Sequence, residues 1–459
     1  MKNYLFMFLL VGSSAILLAG CMSGPDYEQP EIEMPDAWHQ AVQEELGEKA
    51  PSLQTWWTVF GDETLNGLIV KASTNNLTLK TAAARVEQAA ALRGVSASQY
   101  WPDIVGAGAA SAFKNSGAGM PPGFDQDGGL FSAGLSVVWE ADLWGRIRRS
   151  VESADASLQA SVENYRDILV LLYAEIAVNY IEVRTLQERI QFAENNLKAQ
   201  AETMRLTKNR FDAGLVPALD VSQAELNRSR TASQIPPLRQ RLVRAINRLG
   251  VLTGDMPYAL FKQLEKPQPI PEASGVAISS GLPAELLRQR PDIRRAEREL
   301  AAQNARIGAK QAELYPTLVI PGTLTLEAIE GTVYDGSGLA YGFGPQLRWN
   351  IFNGRRIRSE IDAERAGTKA ALHAYEQTVL TALEEVENYM SAYAQERDRI
   401  QLLETAAASA KKSVELVTEL YKSGLTDFQN VLNMEKALLE QQDALSSSRG
   451  AVSLDLVGI

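Results

Sequence analysis

The sequence predicts an α+β membrane protein built on an internal duplication, in which two long helical hairpins alternate with two pairs of short strands. Three observations predict it. A seven-residue apolar pattern runs through two proline-free stretches and returns in phase after 210 residues. The pairs Gly94 with Trp101-Pro102 and Gly308 with Tyr315-Pro316 mark one point upstream of each stretch. Paired segments of alternating apolar residues then sit between each landmark and the stretch that follows it.

Residues 1–20 read as a signal peptide. Lys2 gives a positive start, and Tyr4 to Leu18 are an apolar run. That run is shorter than the roughly 20 residues of a membrane-spanning helix. Leu18-Ala19-Gly20-Cys21 resembles the lipobox cut by lipoprotein signal peptidase, with the lipid then attached to Cys21, the one cysteine of the chain. An ordinary signal peptide is the plainer alternative. Acyl chains in pairs anchor stably where one does not. Met22 is not the aspartate that resembles an inner-membrane retention signal, which points to the outer membrane. Residues 21–55, rich in Pro and acidic side chains, form an extended lipidated segment.

Residues 56–102 are the helices of the first repeat, ending in a stretch rich in Ala, Gln and Arg. Residues 103–142 hold the first strand pair. In 130–140 Phe131, Ala133, Leu135, Val137 and Trp139 alternate with small or polar residues, whereas 104–113 barely alternates. Residues 143–253 form the first long hairpin. The positions from Tyr165 to Phe211, spaced alternately four and three, are apolar at eleven of fourteen places. The same positions plus 210, Tyr375 to Tyr421, are apolar at thirteen, so the seam is longer than an ordinary bundle helix provides. The proline-free runs 146–212 and 355–423 would each span about 100 Å as helix.

Both seams end alike. Phe211 precedes Gly214-Leu215 and Tyr421 precedes Gly424-Leu425, and return helices start near Ala218 and Asp427. Pro236-Pro237 should break or kink the first return helix, which has no equivalent in the second. Residues 254–290 make an equatorial segment and 291–316 the helix of the second repeat. Residues 317–352 are the second strand pair, with 318–326 and 339–351 as its strands. Residues 353–459 are the second long hairpin. Gly117 to Gly129 and Glu330 to Gly338 join the strands of each pair.

Four strands per chain cannot sit in lipid as an open sheet, because the edge amides would lack partners. Closure needs copies. Two copies give about eight strands, which side chains fill; three give twelve and room for a lumen. The argument demands an oligomer and only favours three. Alternation alone would equally suit two soluble hairpins.

Composition excludes other classes. The net charge is −11 with no basic block, so no nucleic-acid partner is expected. One cysteine and two histidines, His39 and His373, make no metal or catalytic set. No phosphate-cradling glycine loop, HExxH or GxSxG is present, and no enzyme activity is expected.

The pattern resembles the outer membrane factors, the TolC-like efflux proteins, and most of all their lipoprotein branch serving resistance–nodulation–division (RND) pumps. The residues that carry it are Gly24-Pro25-Asp26-Tyr27, Trp56-Trp57 with Phe60, Trp139 through Arg146, Gly214-Leu215-Val216, Leu282-Pro283, Arg290-Pro291-Asp292-Ile293, Ala296-Glu297 and Tyr315-Pro316. The resemblance implies a homotrimer. Its twelve-stranded barrel crosses the outer membrane and is continued by a periplasmic helical barrel. A mixed equatorial domain comes from 254–283 and both termini. It further implies contact with outer-membrane lipid, a periplasmic membrane-fusion adaptor, an inner-membrane RND transporter, and export of small molecules such as drugs. No cofactor is implied beyond the lipid on Cys21. Gly214, Leu215, Gly424 and Leu425 would meet the adaptor.

A periplasmic gate is implied at Asp220, Tyr421 and Thr426, where hydrogen bonds between hairpins hold the tunnel shut; helix capping is the plainer role for Asp220. Asn430 and Asn433 stand where relatives often carry acidic residues, which implies a neutral constriction with Asp427 as a source of charge. Relatives usually continue past Leu454-Asp455-Leu456-Val457, and this sequence ends at Ile459. The alternative function is the outer-membrane component of a type I protein secretion system; a periplasmic coiled-coil spacer without a pore is a further one.

Overall fold

The computed structural model describes residues 22–32, 38, 55–114, 127–273, 289–329 and 338–459. The lipobox with Cys21, His39, Leu282-Pro283 and most of the two strand-joining loops lie outside the described residues. Two compact units emerge. One holds Met1–Ile32, Ala84–Asn164 and Asp292–Thr378; the other holds Glu33–Ala83, Tyr165–Pro291 and Val379–Ile459.

In chain order a short helical turn, Trp56–Phe60, is followed by α1 (Glu63–Asn75), α2 (Leu77–Ser98), β1 (Asp103–Lys114), β2 (Asp127–Ala141), α3 (Arg146–Asp212) and α4 (Ala218–Leu252). Single turns at Pro257–Leu260 and Phe261–Leu264 come next. Then follow α5 (Pro291–Ala312), β3 (Thr317–Ile329), β4 (Leu339–Phe343), β5 (Gln346–Arg348), α6 (Arg356–Lys422) and α7 (Phe428–Gly458). Both α3 and α6 have 67 residues, within one residue of the proline-free runs that contain the heptad pattern. Among the described residues no helix is long and apolar enough to cross a membrane.

In the first unit the strands form one antiparallel sheet ordered β1-β2-β3-β4, with β5 also on β3. The register sorts its faces, because directly paired residues share a side. One row runs Gly106, Leu135, Leu324, Tyr341; another runs Ile104, Val137, Gly322, Phe343. That face is apolar. The other carries Ser132, Ser136, Thr323 and Thr325. Leu135, Leu324, Tyr341 and Phe343 are all exposed, so among the described residues no element covers the apolar face. The weakly alternating segment 104–113 is a full strand, positioned by its partner rather than by its own Gly- and Ala-rich pattern.

The second strand pair corrects the expectation of one strand over 339–351. The ladder pairs Gly322–Leu326 with β4 and Thr317–Val319 with β5, and breaks between them. Pro345 lies in the gap opposite Ile320 and Pro321. Neither proline has an N–H to donate, so the gap keeps a single bond, from the Gly344 amide to Pro321 O at 3.3 Å.

The junction from sheet to helix explains the Trp139–Arg146 motif. Trp139 Nε1 donates to the carbonyl of Tyr100 at 3.0 Å, and Trp349 Nε1 makes the same bond to Leu314 at 3.0 Å. Both acceptors directly precede the aromatic-proline landmarks. Glu140 takes two bonds from Arg146, and Asp142 caps α3 by accepting from the amides of Ile147 and Arg148. Trp144 stacks on Tyr315 with ring centroids 4.7 Å apart and donates to the carbonyl of Pro316.

Residues 22–27 form a strap on α3 and α5. The amide of Ser23 donates to Trp144 O at 3.0 Å. Arg149, 1% exposed, donates to Ser23 O, to Gly24 O and to the Asp26 and Glu152 carboxylates. Gly24 has φ +87°, and a Cβ there would lie 2.4 Å from Gly308 Cα. Tyr27 donates to Glu297 and lies beside Arg298. Asn304 Nδ2 donates to Pro25 O. Gly94, which the sequence pairs with Gly308, has nothing near its Cβ position.

In the second unit the core is built from Trp57, Phe60, Leu65, Leu68, Ile69, Ile176, Tyr180, Ile181, Leu249 and Leu264. Here α3 is covered on more than the seam the heptads mark: Ala177, Tyr180, Ile181 and Arg184 are buried as well. The buried Arg184 is answered by Tyr180, Gln187, Gln268 and the carbonyl of Lys266. Tyr180 in turn donates to Asp62, which caps α1. Pro236-Pro237 lie inside a continuous α4 and do not break it. Ile235 and Leu238, on either side, are buried and hold the turn in place despite the two missing donors.

Candidate functional site at the hairpin tips

The tips of the two hairpins share one backbone geometry. Gly214 and Gly424 adopt φ +73° and +74°, a left-handed turn that glycine takes without a Cβ clash. The amide of Gly214 donates to Phe211 O at 2.8 Å and that of Leu215 to Arg210 O at 2.8 Å. The amide of Gly424 donates to Tyr421 O at 3.0 Å and that of Leu425 to Leu420 O at 2.9 Å. These bonds close each helix by satisfying carbonyls its own ladder cannot reach. Leu215 and Leu425 then project into solvent, 67% and 74% exposed.

Beside the turns, Tyr421, Phe428, Val431, Val417 and Ala224 form a small apolar cluster. Tyr421 stacks at a tilt on Phe428, centroids 5.4 Å apart, and the Arg210 guanidinium covers its other face at 4.7 Å. Arg210 also donates to the carbonyls of Tyr421 and Lys422. The Tyr421 hydroxyl lies 3.5 Å from Thr207 Oγ1. Within one chain, then, the structure does not join Tyr421 to Asp220. Arg210, absent from the expected set, is the residue that ties the first tip to the second. A cation one position before the matched Phe211 was the available signal.

Asp220 sits in the first turn of α4, where negative charge suits the exposed amides. It does not cap; Pro217 occupies the cap position. Burial pushes the Asp220 carboxyl up, and the charge of Asp427 adds to this while Arg210 opposes it. Asp427 is the N-cap residue of α7. Asn430 donates to Thr426 Oγ1 at 2.8 Å, and Asn433 accepts from Gln429 at 3.1 Å. Both asparagines are exposed, so this part of the tip is polar and uncharged apart from Asp427 and Asp220.

Further from the tip a polar zipper joins the hairpins at seven-residue intervals on α3. Arg189 grips Asp443 with two bonds of 2.7 and 2.9 Å. Asn196 donates to Gln442 at 2.7 Å and Thr203 to Glu435 at 2.7 Å; Arg210 is the next step. Glu435 is 4% exposed and takes a second bond from Asn227 at 2.9 Å. Burial pushes its carboxyl up, and those two bonds pull it back.

No group of three or more His, Cys, Asp or Glu side chains among the described residues could hold a metal ion. His373 is exposed beside Glu376.

Comparison with known proteins fits this architecture. The family model described as outer membrane efflux protein matches residues 68–255 and 282–458. Nodulation protein T of Rhizobium leguminosarum bv. viciae is 31% identical over 96% of this chain and 90% of its own. The pyoverdine export outer membrane protein OpmQ of Pseudomonas aeruginosa is 29% identical over 97% of this chain and 94% of its own. Among solved structures, the outer-membrane channel OprN superposes with a TM-score of 0.88 at 33% identity, covering 96% of this chain and 98% of that one. The chain belongs to the outer membrane efflux protein family.

Proposed function

We propose that the chain is the exit duct of a tripartite RND-type efflux system, working as a homotrimer in the outer membrane with its hairpins in the periplasm. One observation carries this reading. The four-part sheet leaves its apolar face uncovered and its outer edges, β1 and β4/β5, unpaired. Water tolerates neither arrangement well, and lipid tolerates the first only when the edges are closed. Three copies pair β1 of one with β4 and β5 of the next. The apolar face then meets lipid and the Ser- and Thr-bearing face lines a wet lumen.

The helices support the same assembly. In α2 only Leu79 and Ala82 are buried, whereas α5, its counterpart in the second half, buries Ile293, Leu300, Ala305 and Ile307 among others. A neighbouring copy supplies what α2 lacks. Leu215 and Leu425, with Gly214 and Gly424 fixing their turns, offer apolar knobs to a periplasmic adaptor. Asp220, Tyr421, Thr426, Asn430 and Asn433 surround the closed end, with Arg210 as the tie. The names of relatives include pyoverdine export, which suits small molecules as cargo. The chain carries out no chemistry; the inner-membrane transporter supplies the energy. The lipid on Cys21 anchors the strap.

Conductance of the purified protein in a planar bilayer tests the proposal. The wild type gives small, infrequent openings. Arg210→Ala, which frees the tip of the second hairpin, raises the conductance, and Asp220→Ala raises it less. Absence of any pore in wild type and variants overturns the reading.

A further inference from the structure

Helix α5 has two opposed faces. Glu297, Ala301, Asn304 and Gly308, spaced alternately four and three, carry the strap. Glu297 accepts from Tyr27, Ala301 lies in the cluster under that ring, Asn304 donates to Pro25 O and Gly308 abuts Gly24. Arg295, Glu299, Ala302 and Arg306 keep the same spacing two residues earlier. Two residues are about 200° of helix, so these four look away from the strap. On that side α3, α5 and α6 line an open cleft of about 600 Å³, floored by Ala160, Ala302, Gly367 and Ala371.

The charged groups of the cleft are placed by their neighbours. Arg295 is half-buried and donates to Asn164 Oδ1 of α3 at 2.9 Å. Arg306 donates to Gln303 at 3.1 Å, and Gln303 donates to the Glu364 carboxylate of α6 at 2.7 Å. Arg306 thus leans back along α5 toward Glu299, the direction helical side chains favour. Glu299 and Arg306 are both exposed, and neither is in an ion pair among the described residues. They stand seven residues apart, about 10 Å along the axis before the lean shortens the gap. Opposite charges of this kind ordinarily face open water. Here they flank a concave surface of small apolar groups.

We infer that the cleft is a station for cargo on the inner wall of the duct and takes small amphoteric molecules. An ammonium sits at Glu299, a carboxylate at Arg306, and an apolar frame lies on the alanines between them. The inference rests on the duct reading. A strap leading from a lipid anchor runs outside the wall, so the opposite face of α5 looks into the lumen. A chain of net charge −11 repels anions. A molecule that brings its own cation escapes that repulsion, and the Arg306 guanidinium then fixes its carboxylate. Exposed ion pairs are weak, which suits a duct, because a site that held cargo tightly would stop the flow.

Three probes with one carbon chain separate the contributions: ε-aminohexanoate, hexanoate and hexylamine. Saturation-transfer NMR on the detergent-purified protein reads their binding whether or not it conducts. The amphoteric probe binds roughly fivefold more tightly than either of the others, the scale of one added exposed ion pair. Glu299→Gln brings it to the level of hexanoate without weakening hexanoate. Arg306→Gln brings it to the level of hexylamine. Equal binding of the three probes, or binding that both variants leave unchanged, overturns the cleft as a site. Placement is read in a planar bilayer. In an Arg210→Ala channel, Ser161→Cys treated with a bulky charged thiol reagent lowers the current, while the same channel with Ser161 intact is unaffected. A cysteine that reacts without changing the current puts the cleft outside the lumen and overturns the station. Selective probe binding in a protein that never conducts overturns the duct and leaves a binding cleft. Conduction without selective binding overturns the cleft and leaves the duct.

Discussion

Asp455, near the end of α7, faces Glu396 across the second hairpin. Burial, first, and the charge of Glu396, second, raise its carboxyl to about 6. Glu396 itself accepts bonds from Ser448 and Arg399. The sign follows from linkage. A carboxyl raised in the folded state binds its proton more tightly there than in the unfolded chain, whose value is about 4. Its contribution is full below pH 4 and is lost as pH rises through 6. Asp455→Asn removes the penalty. Its unfolding temperature exceeds the wild type's by a few degrees at pH 8 and equals it at pH 4. A gain of equal size at both pH values would mean that packing, not charge, set the effect. The same scale separates Glu435 from Glu225. They are one residue type at matched places, yet two donors and a covering helix surround the first and solvent surrounds the second.

At the scale of elements, the strap on α5 is held by close approach as much as by charge. A Cβ on Gly308 would lie 2.5 Å from Ser23 O and 2.8 Å from the Arg149 side chain, which is fully buried and cannot swing away. Gly308→Ala therefore lifts the strap and costs about 1–3 kcal/mol, the usual range for overpacking. Hydrogen exchange at the Ser23 amide, bonded to Trp144 O in the wild type, accelerates accordingly. Gly94→Ala, at the matched place where nothing lies near, leaves that amide protected. This contrast also marks where sequence reading succeeds. The seven-residue pattern marked the tip-ward parts of α3 and α6, and the proline-free runs gave their ends within a residue, because apolar spacing and the absence of proline are local properties of a long helix. Gly214 and Gly424 were legible because a left-handed turn has a residue preference. The strap was visible only as Gly24-Pro25-Asp26-Tyr27, a resemblance without a reason, since its reason is a glycine 284 residues away. The buried Arg149 and Arg184 and the half-buried Arg210 were missed for a like cause: such an arginine is identified by the carbonyls and carboxylates around it, which the chain brings from distant places. The zipper at 189, 196, 203 and 210 did carry a signal, polar residues at constant spacing of seven beside the apolar seam.

At the scale of the whole molecule, the unresolved choice in the sequence was between a membrane sheet and two soluble hairpins, and alternation alone could not decide it. Pairing turns it into a testable one, because it makes the strands share faces. Leu324 and Thr325 are neighbours in β3 on opposite faces. Leu324 lies between Leu135 and Tyr341 in an apolar row; Thr325 lies between Gly134 and Ala340 among small and polar residues. If lipid covers the first face and water the second, arginine at the two sites has unequal consequences. Leu324→Arg places a cation in hydrocarbon at about 2–4 kcal/mol per copy near mid-depth, and every copy carries the load. Thr325→Arg points it into a wet lumen, where the cost is small and the pore narrows. The expected outcome is a sharp fall in outer-membrane protein for Leu324→Arg, read as the membrane fraction extracted only by detergent. Thr325→Arg assembles at wild-type level with reduced conductance. Equal tolerance of both would place water on both faces and return the sheet to a soluble hairpin pair. Reversed tolerance would turn the barrel inside out, which the Ser and Thr side chains of the second face would then have to survive in lipid without donors or acceptors beyond their own backbone.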